Sequence, residues 1–104
     1  MTLTKVCTVG DIPVGEARRF EVGNGLVAVV NLGEDGFRAV DAICSHEHFY
    51  LDEGEVDVDD HTIECAKHGS TFDLETGKAR TLPAIQPVAV YAVKIDNDDI
   101  LIEV

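Results

Sequence analysis

The decisive stretch of the 104-residue chain is Cys44-Ser45-His46, followed after eighteen residues by Cys65-Ala66-Lys67-His68-Gly69-Ser70. Two Cys/His pairs thus face each other across a short acidic hairpin. Two soft thiolates and two imidazoles on paired loops can hold zinc tetrahedrally, or a [2Fe-2S] cluster with Cys on one iron and His on the other. On either reading Cys44, His46, Cys65 and His68 are the metal ligands. Their order separates the two. The commonest zinc fingers put both Cys in one half and both His in the other. Here each loop supplies one of each, an equivalence that suits a two-iron centre.

With C-x-H followed by C-x-x-H-G-S, the stretch resembles the Rieske iron-sulfur family, and the resemblance spans essentially the whole chain. Gly69-Ser70-Thr71-Phe72-Asp73 and Thr76-Gly77-Lys78 are similar to the small Rieske ferredoxins. The resemblance implies an all-β fold in a single domain, residues 1–104. An antiparallel β-sandwich-like base (about 1–42 and 82–104) would carry a small cluster-binding β subdomain (about 43–81). It implies one Rieske [2Fe-2S] cluster per chain, with Cys44 and Cys65 on the buried iron and His46 and His68 on the outer one. Around the cluster it implies a Ser70 hydroxyl donating to a bridging sulfide and Pro83 in a shielding proline loop. Gly69 stands where a loop often needs positive φ or close backbone approach. Phe72 occupies the position at which high-potential relatives carry a tyrosine hydroxyl. Rieske proteins of respiratory and photosynthetic complexes join an extra Cys from each ligand loop in a disulfide, where this chain has Phe49 and Lys67. Glu47 and His48 replace the small residues usual after the first ligand His. The C-x-H register leaves His48 facing solvent, and His61 in the acidic hairpin reads as a surface residue.

By the same resemblance, the protein is an electron carrier rather than an enzyme. It would take electrons from a flavin-dependent reductase and pass them to the terminal oxygenase of a ring-hydroxylating dioxygenase. The alternatives are a Rieske ferredoxin of another system, such as iron-sulfur cluster assembly, and a structural zinc-binding interaction module. The residues themselves offer no nucleophile-base constellation, no phosphate-cradling glycine loop and no 2-His-1-carboxylate iron site.

Composition narrows the setting. Apolar residues make up 45% of the chain, but the longest pure run is Leu26-Val27-Ala28-Val29-Val30. That is far short of the roughly 20 residues of a membrane span. Met1-Thr2-Leu3-Thr4-Lys5 lacks the apolar core of a signal peptide, so a soluble, monomeric, cytoplasmic protein is expected. A net charge of −12, from 20 acidic and 8 basic residues, argues against nucleic acid and fits either a partner with a basic docking face or a surface charged for solubility alone. With two of three Cys taken as ligands, Cys7 has no disulfide partner and reads as a small buried hydrophobe.

Strands are expected at 5–9, 18–22, 26–31, 37–42, 88–95 and 100–104. Gly23-Asn24-Gly25 should turn a hairpin, and Gly33 to Gly36 should form the next turn. Within 52–60, six acids alternate with Val56 and Val58, which can point inward. His61 to Glu64 leads into Cys65, and Ser70 to Leu74 leads out toward a turn at 75–78, making the cluster module a small antiparallel sheet. Pro83 and Pro87 exclude a regular strand between them. No stretch carries a sustained helical period.

Overall fold

The computed structural model describes residues 3–23, 25–45, 49–66, 69–81 and 86–103. Its strands are β1 (Leu3–Thr8), β2 (Ala17–Val22), β3 (Gly25–Asn31), β4 (Phe37–Asp41), β5 (Val56–Asp57), β6 (Thr62–Glu64), β7 (Thr71–Asp73), β8 (Val90–Tyr91), β9 (Val93–Asp96) and β10 (Asp99–Glu103). Three 3-10 turns, Val9–Asp11, Gly33–Asp35 and Leu51–Glu53, punctuate them. No described helix is long and apolar enough to cross a membrane. Among the described residues all pairing is antiparallel, in three sheets ordered β1-β10-β9, β2-β3-β4-β8 and β5-β6-β7.

The central strand explains the one long apolar run. In β3, Val27 and Val29 enter a core with Cys7, Ile12, Val22, Ala39, Ile100 and Ile102. Ala28 and Val30 enter a second core with Val40, Ala42, Leu51, Ile63, Phe72 and Leu74. Side chains alternate between the faces of a strand, so a strand covered on both sides is apolar at every position. Between Val27 and Val30 no residue is more than 1% exposed. The first core fills the space between the two larger sheets. The second joins the base to the β5-β6-β7 sheet, whose β6–β7 connection is the second ligand loop, while the first ligand loop leaves β4.

Cys7 is free and buried in the first core, as expected. Burial pushes its thiol pKa up, and nearby Asp11 adds to the effect. The expected strand 88–95 is instead two strands. β8 pairs with β4, while β9 pairs with β10 in the other sheet, and Ala92 lies between them. A run of apolar and β-branched residues shows strand propensity without showing where the chain changes sheets. The last hairpin turns through Asn97 and Asp98, with Asn97 at φ 57°, a left-handed conformation that Asn tolerates better than most residues.

Candidate metal centre

Period-two alternation delivers both cysteines to the same place. Val40, Ala42 and Cys44 follow one face out of β4, and Ile63 and Cys65 follow one face out of β6, all into the second core. Cys44 is 4% exposed and Cys65 fully buried. Both loops close in the same way. The Cys44 N–H donates to the Phe49 carbonyl at 2.8 Å, and the Cys65 N–H donates to the Ser70 carbonyl at 2.7 Å. Each bond therefore spans five residues. Below the first loop, Ile43 bridges Tyr50, and the Leu51 N–H donates to the Ala42 carbonyl at 2.7 Å. In the second loop the Gly69 N–H donates to the Cys65 carbonyl at 2.9 Å.

The surrounding positions follow from the same alternation. Ser70, Phe72 and Leu74 face inward in succession, each with no exposure. Gly69 has φ 76°, and a Cβ there would meet nothing within 4 Å. Of the two reasons for a glycine, backbone conformation therefore applies and crowding does not. Gly54 is the opposite case. Its φ of −93° suits any residue, but a Cβ would lie 1.6 Å from the Glu64 carbonyl oxygen, one residue before Cys65. His46, His68 and Pro83, with Glu47, His48 and Lys67, lie outside the described residues.

The described donors fit a metal cluster. Two cysteines outside any disulfide sit at the bases of twin loops in an apolar core, and each is followed by an imidazole at the second or third position onward.

Comparison with known proteins agrees. Residues 2–92 match the Rieske [2Fe-2S] domain. The chain belongs to the Rieske family. Its cofactor is accordingly a Rieske-type [2Fe-2S] cluster. The ferredoxin component of biphenyl 2,3-dioxygenase from Rhodococcus jostii (strain RHA1) is 41% identical over 103 residues, covering 99% of this chain and 94% of the relative. Among solved structures, the ferredoxin of carbazole 1,9a-dioxygenase from Nocardioides aromaticivorans IC177 superposes with a TM-score of 0.92 at 34% identity, covering 98% of this chain and 97% of that one. A complex of reduced oxygenase and oxidized ferredoxin in carbazole 1,9a-dioxygenase contains a chain that superposes with a TM-score of 0.87 at 33% identity. There the coverage is 96% of this chain and 91% of that one.

Three groups of this Rieske protein escaped the sequence reading. His61 is no idle surface residue. Held at φ 54°, it places Nε2 2.8 Å from Asp35 Oδ2 and Nδ1 3.1 Å from Glu75 Oε1. Glu75 also accepts from Arg38 Nε at 2.9 and 2.7 Å. The hydrogen bonds to Asp35 and then Glu75 raise the His61 pKa, and the bond from Arg38 lowers that of Glu75. This network fastens the acidic hairpin and the β7 turn to the base.

On the opposite flank, Arg19 lies over the Tyr50 ring, 3.7 Å from its centroid. It sits 3.6 Å from Asp52 Oδ1 and 3.7 Å from Glu53 Oε2, tying β2 to the exit of the first ligand loop. Burial raises the Asp52 pKa, and Arg19 opposes the shift. Behind the same loop, Asp41 accepts from the Tyr91 hydroxyl at 2.7 Å and from the Ala89 N–H at 2.9 Å. The Tyr91 pKa is pushed up to about 12, chiefly by that hydrogen bond. None of these contacts had a sequence signature, because each joins residues between 14 and 50 positions apart.

Part of the negative charge lines one groove. This groove of about 660 Å³ between residues 15–18 and the β5–β6 hairpin is lined by Glu16, Asp52, Glu55, Asp57, Asp60 and Glu64 together with Arg18, which pairs with Glu16 at 2.9 Å.

Proposed function

We propose that this Rieske protein carries single electrons from a flavin-dependent reductase to the terminal oxygenase of a ring-hydroxylating dioxygenase. Cys44 and Cys65 hold one iron of its cluster, and His46 and His68 hold the other. The observation that carries the ligand assignment is the pair of identically closed loops with both thiols buried at their bases. When bound, the cluster supplies one-electron redox chemistry at a potential raised by replacing two thiolates with neutral imidazoles. The chain does the rest. Its apolar core keeps water from the cysteine sulfurs. The buried Ser70 hydroxyl is a candidate donor to cluster sulfide, whereas the equally buried Phe72 has no hydroxyl to offer.

With every iron position filled by protein, no ligand position remains for a substrate, so a partner must perform the oxidation. Nearly full-length similarity to dioxygenase ferredoxins supports that partner, as does the ferredoxin–oxygenase complex seen for a relative. A cytoplasmic monomer is in keeping with such a carrier. The base, about 1–42 and 82–104, and the cluster-binding part, about 43–81, act as one domain.

The test is single-turnover transfer. The chemically reduced protein is mixed anaerobically with the oxidised terminal oxygenase of a ring-hydroxylating dioxygenase, and the EPR signal of the reduced carrier is followed. Stoichiometric loss of that signal, with substrate hydroxylation on adding oxygen, is expected. A carrier that stays reduced would refute the assignment.

A further inference from the structure

We propose that His61 is a proton-sensitive clamp on the foot of the β6–β7 hairpin, whose head is the second ligand loop, an inference resting on the ligand assignment above. The hairpin is short. Three residue pairs, Thr62 with Asp73, Ile63 with Phe72 and Glu64 with Thr71, join its strands. Cys65 directly follows β6 at one end of this ladder, and His61 directly precedes it at the other. At the foot the Leu74 N–H donates to the His61 carbonyl at 2.8 Å. Ile63, Phe72 and Leu74 are held by the second core. The side chains of His61 and Glu75 lie outside that core, partly open to solvent.

The imidazole meets a carboxylate at each of its nitrogens. Nε2 is 2.8 Å from Asp35 Oδ2, which belongs to the base, and Nδ1 is 3.1 Å from Glu75 Oε1, which belongs to the hairpin. An ionised carboxylate only accepts hydrogen bonds, and a neutral imidazole has a single N–H to donate. Both contacts can therefore be hydrogen bonds only when the ring is the doubly protonated imidazolium. Arg38 completes the circuit from β4, donating through Nε to Glu75 and through Nη1 to the Asp35 carbonyl at 2.9 Å. The charges on the His61 turn itself are engaged elsewhere. Asp60 pairs with Arg80 at 3.0 Å, and Asp57 accepts from the Asp59 and Asp60 N–H groups. Asp35 and Glu75, with Arg38 behind Glu75, are thus the charged groups that face the ring. At φ 54°, moreover, His61 occupies a backbone conformation that glycine reaches at less cost.

Loss of one ring proton turns a donor into a lone pair aimed at a carboxylate oxygen. One of the two contacts then becomes repulsive, and the foot of the hairpin parts from the base or from its own β7 turn. A ladder of three pairs has little to stop fraying from running toward Cys65. The core keeps the time-averaged position of the hairpin, so the clamp governs how often this end opens. The carboxylates raise the folded pKa of His61. The clamp is accordingly closed below the unfolded value of about 6.5 and is lost as pH rises through the folded value.

The experiment compares chelator-driven iron release from the holoprotein for wild type and His61→Asn across pH. Asparagine suits positive φ but carries no titrating group, so the variant should fold with full iron and Rieske-type spectra. At about pH 6 it should release iron roughly threefold faster than wild type, the order expected for an exposed charged contact. At about pH 9, where the wild-type clamp is itself open, the two rates should converge. Taking the ratio cancels every pH effect common to both proteins. Nitrogen-15 NMR of the histidine rings, with the signals of His61 identified by their absence in His61→Asn, should show both nitrogens protonated at neutral pH. In Asp35→Asn, which removes one facing charge, that titration should move to lower pH.

A rate ratio constant with pH would make the imidazole merely structural, and a ratio of one throughout would remove the clamp. A His61 ring singly protonated at neutral pH, or a titration unmoved in Asp35→Asn, would each overturn the proposal as well. His68→Ala separates the two levels. A cluster retained in that variant would defeat the ligand assignment, while the ring-nitrogen titration would still decide the protonation state of His61.

Discussion

Replacing Gly54 with Ala tests how closely the fold around Cys65 is fitted. The added Cβ would lie 1.6 Å from the Glu64 carbonyl oxygen, 2.8 Å from the Glu64 carbonyl carbon and 3.3 Å from the Ala66 nitrogen, all backbone atoms. Reaching even a 3.0 Å contact requires a relative shift of about 1.4 Å, several times the roughly 0.2 Å tolerated in metal-ligand distances. Neither side yields easily. The 3-10 turn before Gly54 is anchored by fully buried Leu51 and by the Gly54 N–H bonded to the Leu51 carbonyl at 3.0 Å. The facing strand is held by the Glu64 N–H on the Glu55 carbonyl at 2.8 Å.

Overpacking of a core ordinarily costs about 1–3 kcal/mol, and here the strain falls one residue from a thiolate. Gly54→Ala should therefore be isolated with most of its iron missing and with a lowered melting temperature. Gly69→Ala is the control. It meets no atom but must hold φ 76°, at a cost of about 1–2 kcal/mol, and should keep its cluster while melting a few degrees lower. Iron content, visible absorption and thermal unfolding decide. A fully loaded Gly54→Ala protein, or a Gly69→Ala protein equally empty, would refute the reasoning.

Four further outcomes are expected. His46→Ala and His68→Ala should each abolish the Rieske absorption and EPR signals, while His48→Ala should preserve them; loss of signal in His48→Ala would shift the ligand register. Protein-film voltammetry should place the midpoint toward the low end of the Rieske range, roughly −150 to 0 mV. Phe72→Tyr should raise it by tens of millivolts and Ser70→Ala should lower it; a wild-type midpoint near +300 mV would contradict this. Because its carboxylate partners raise the folded pKa of His61, the stability it adds is fully present below its unfolded value of about 6.5 and is lost as pH rises through the folded value. Denaturant unfolding from pH 6 to 9 should thus show an alkaline loss of stability that His61→Gln diminishes, and identical pH profiles would count against the network. Finally, if the acidic groove faces a basic partner, reduction by that partner should slow as salt shortens the Debye length through about 8 Å; a rate indifferent to salt would assign the acids to solubility alone.

Features visible in the sequence were those written in local patterns. A strand at 37–42 leading into Cys44 was legible, Gly23-Asn24-Gly25 announced the β2–β3 hairpin, and the spacing of Cys44, His46, Cys65 and His68 carried the family. The break at Ala92 was hidden because strand propensity is the same on both sides of a change of sheet. Nothing in the sequence singled out Gly54, since the carbonyl that excludes its Cβ belongs to a residue ten positions later. His61 looked like one more polar residue in an acidic hairpin. Its partners come from Asp35 and Glu75, which only the folded chain brings within reach.

The pairing of β1 with β10, from Leu3 opposite Glu103 to Thr8 opposite Asp99, bears on the order of folding. β2, β3 and β4 form a meander with short connections, and β5, β6 and β7 lie together between residues 56 and 73. Closing the β1–β10 ladder instead encloses about 90 residues, roughly five doublings of a short hairpin loop. At about 0.6 kcal/mol for each doubling, the added entropic cost is about 3 kcal/mol. During synthesis β1 emerges well before β10 and must wait for it. Both cysteine loops are already outside by then, which leaves the ribosome-bound chain a period in which it has thiols to offer iron but no finished sandwich beneath them.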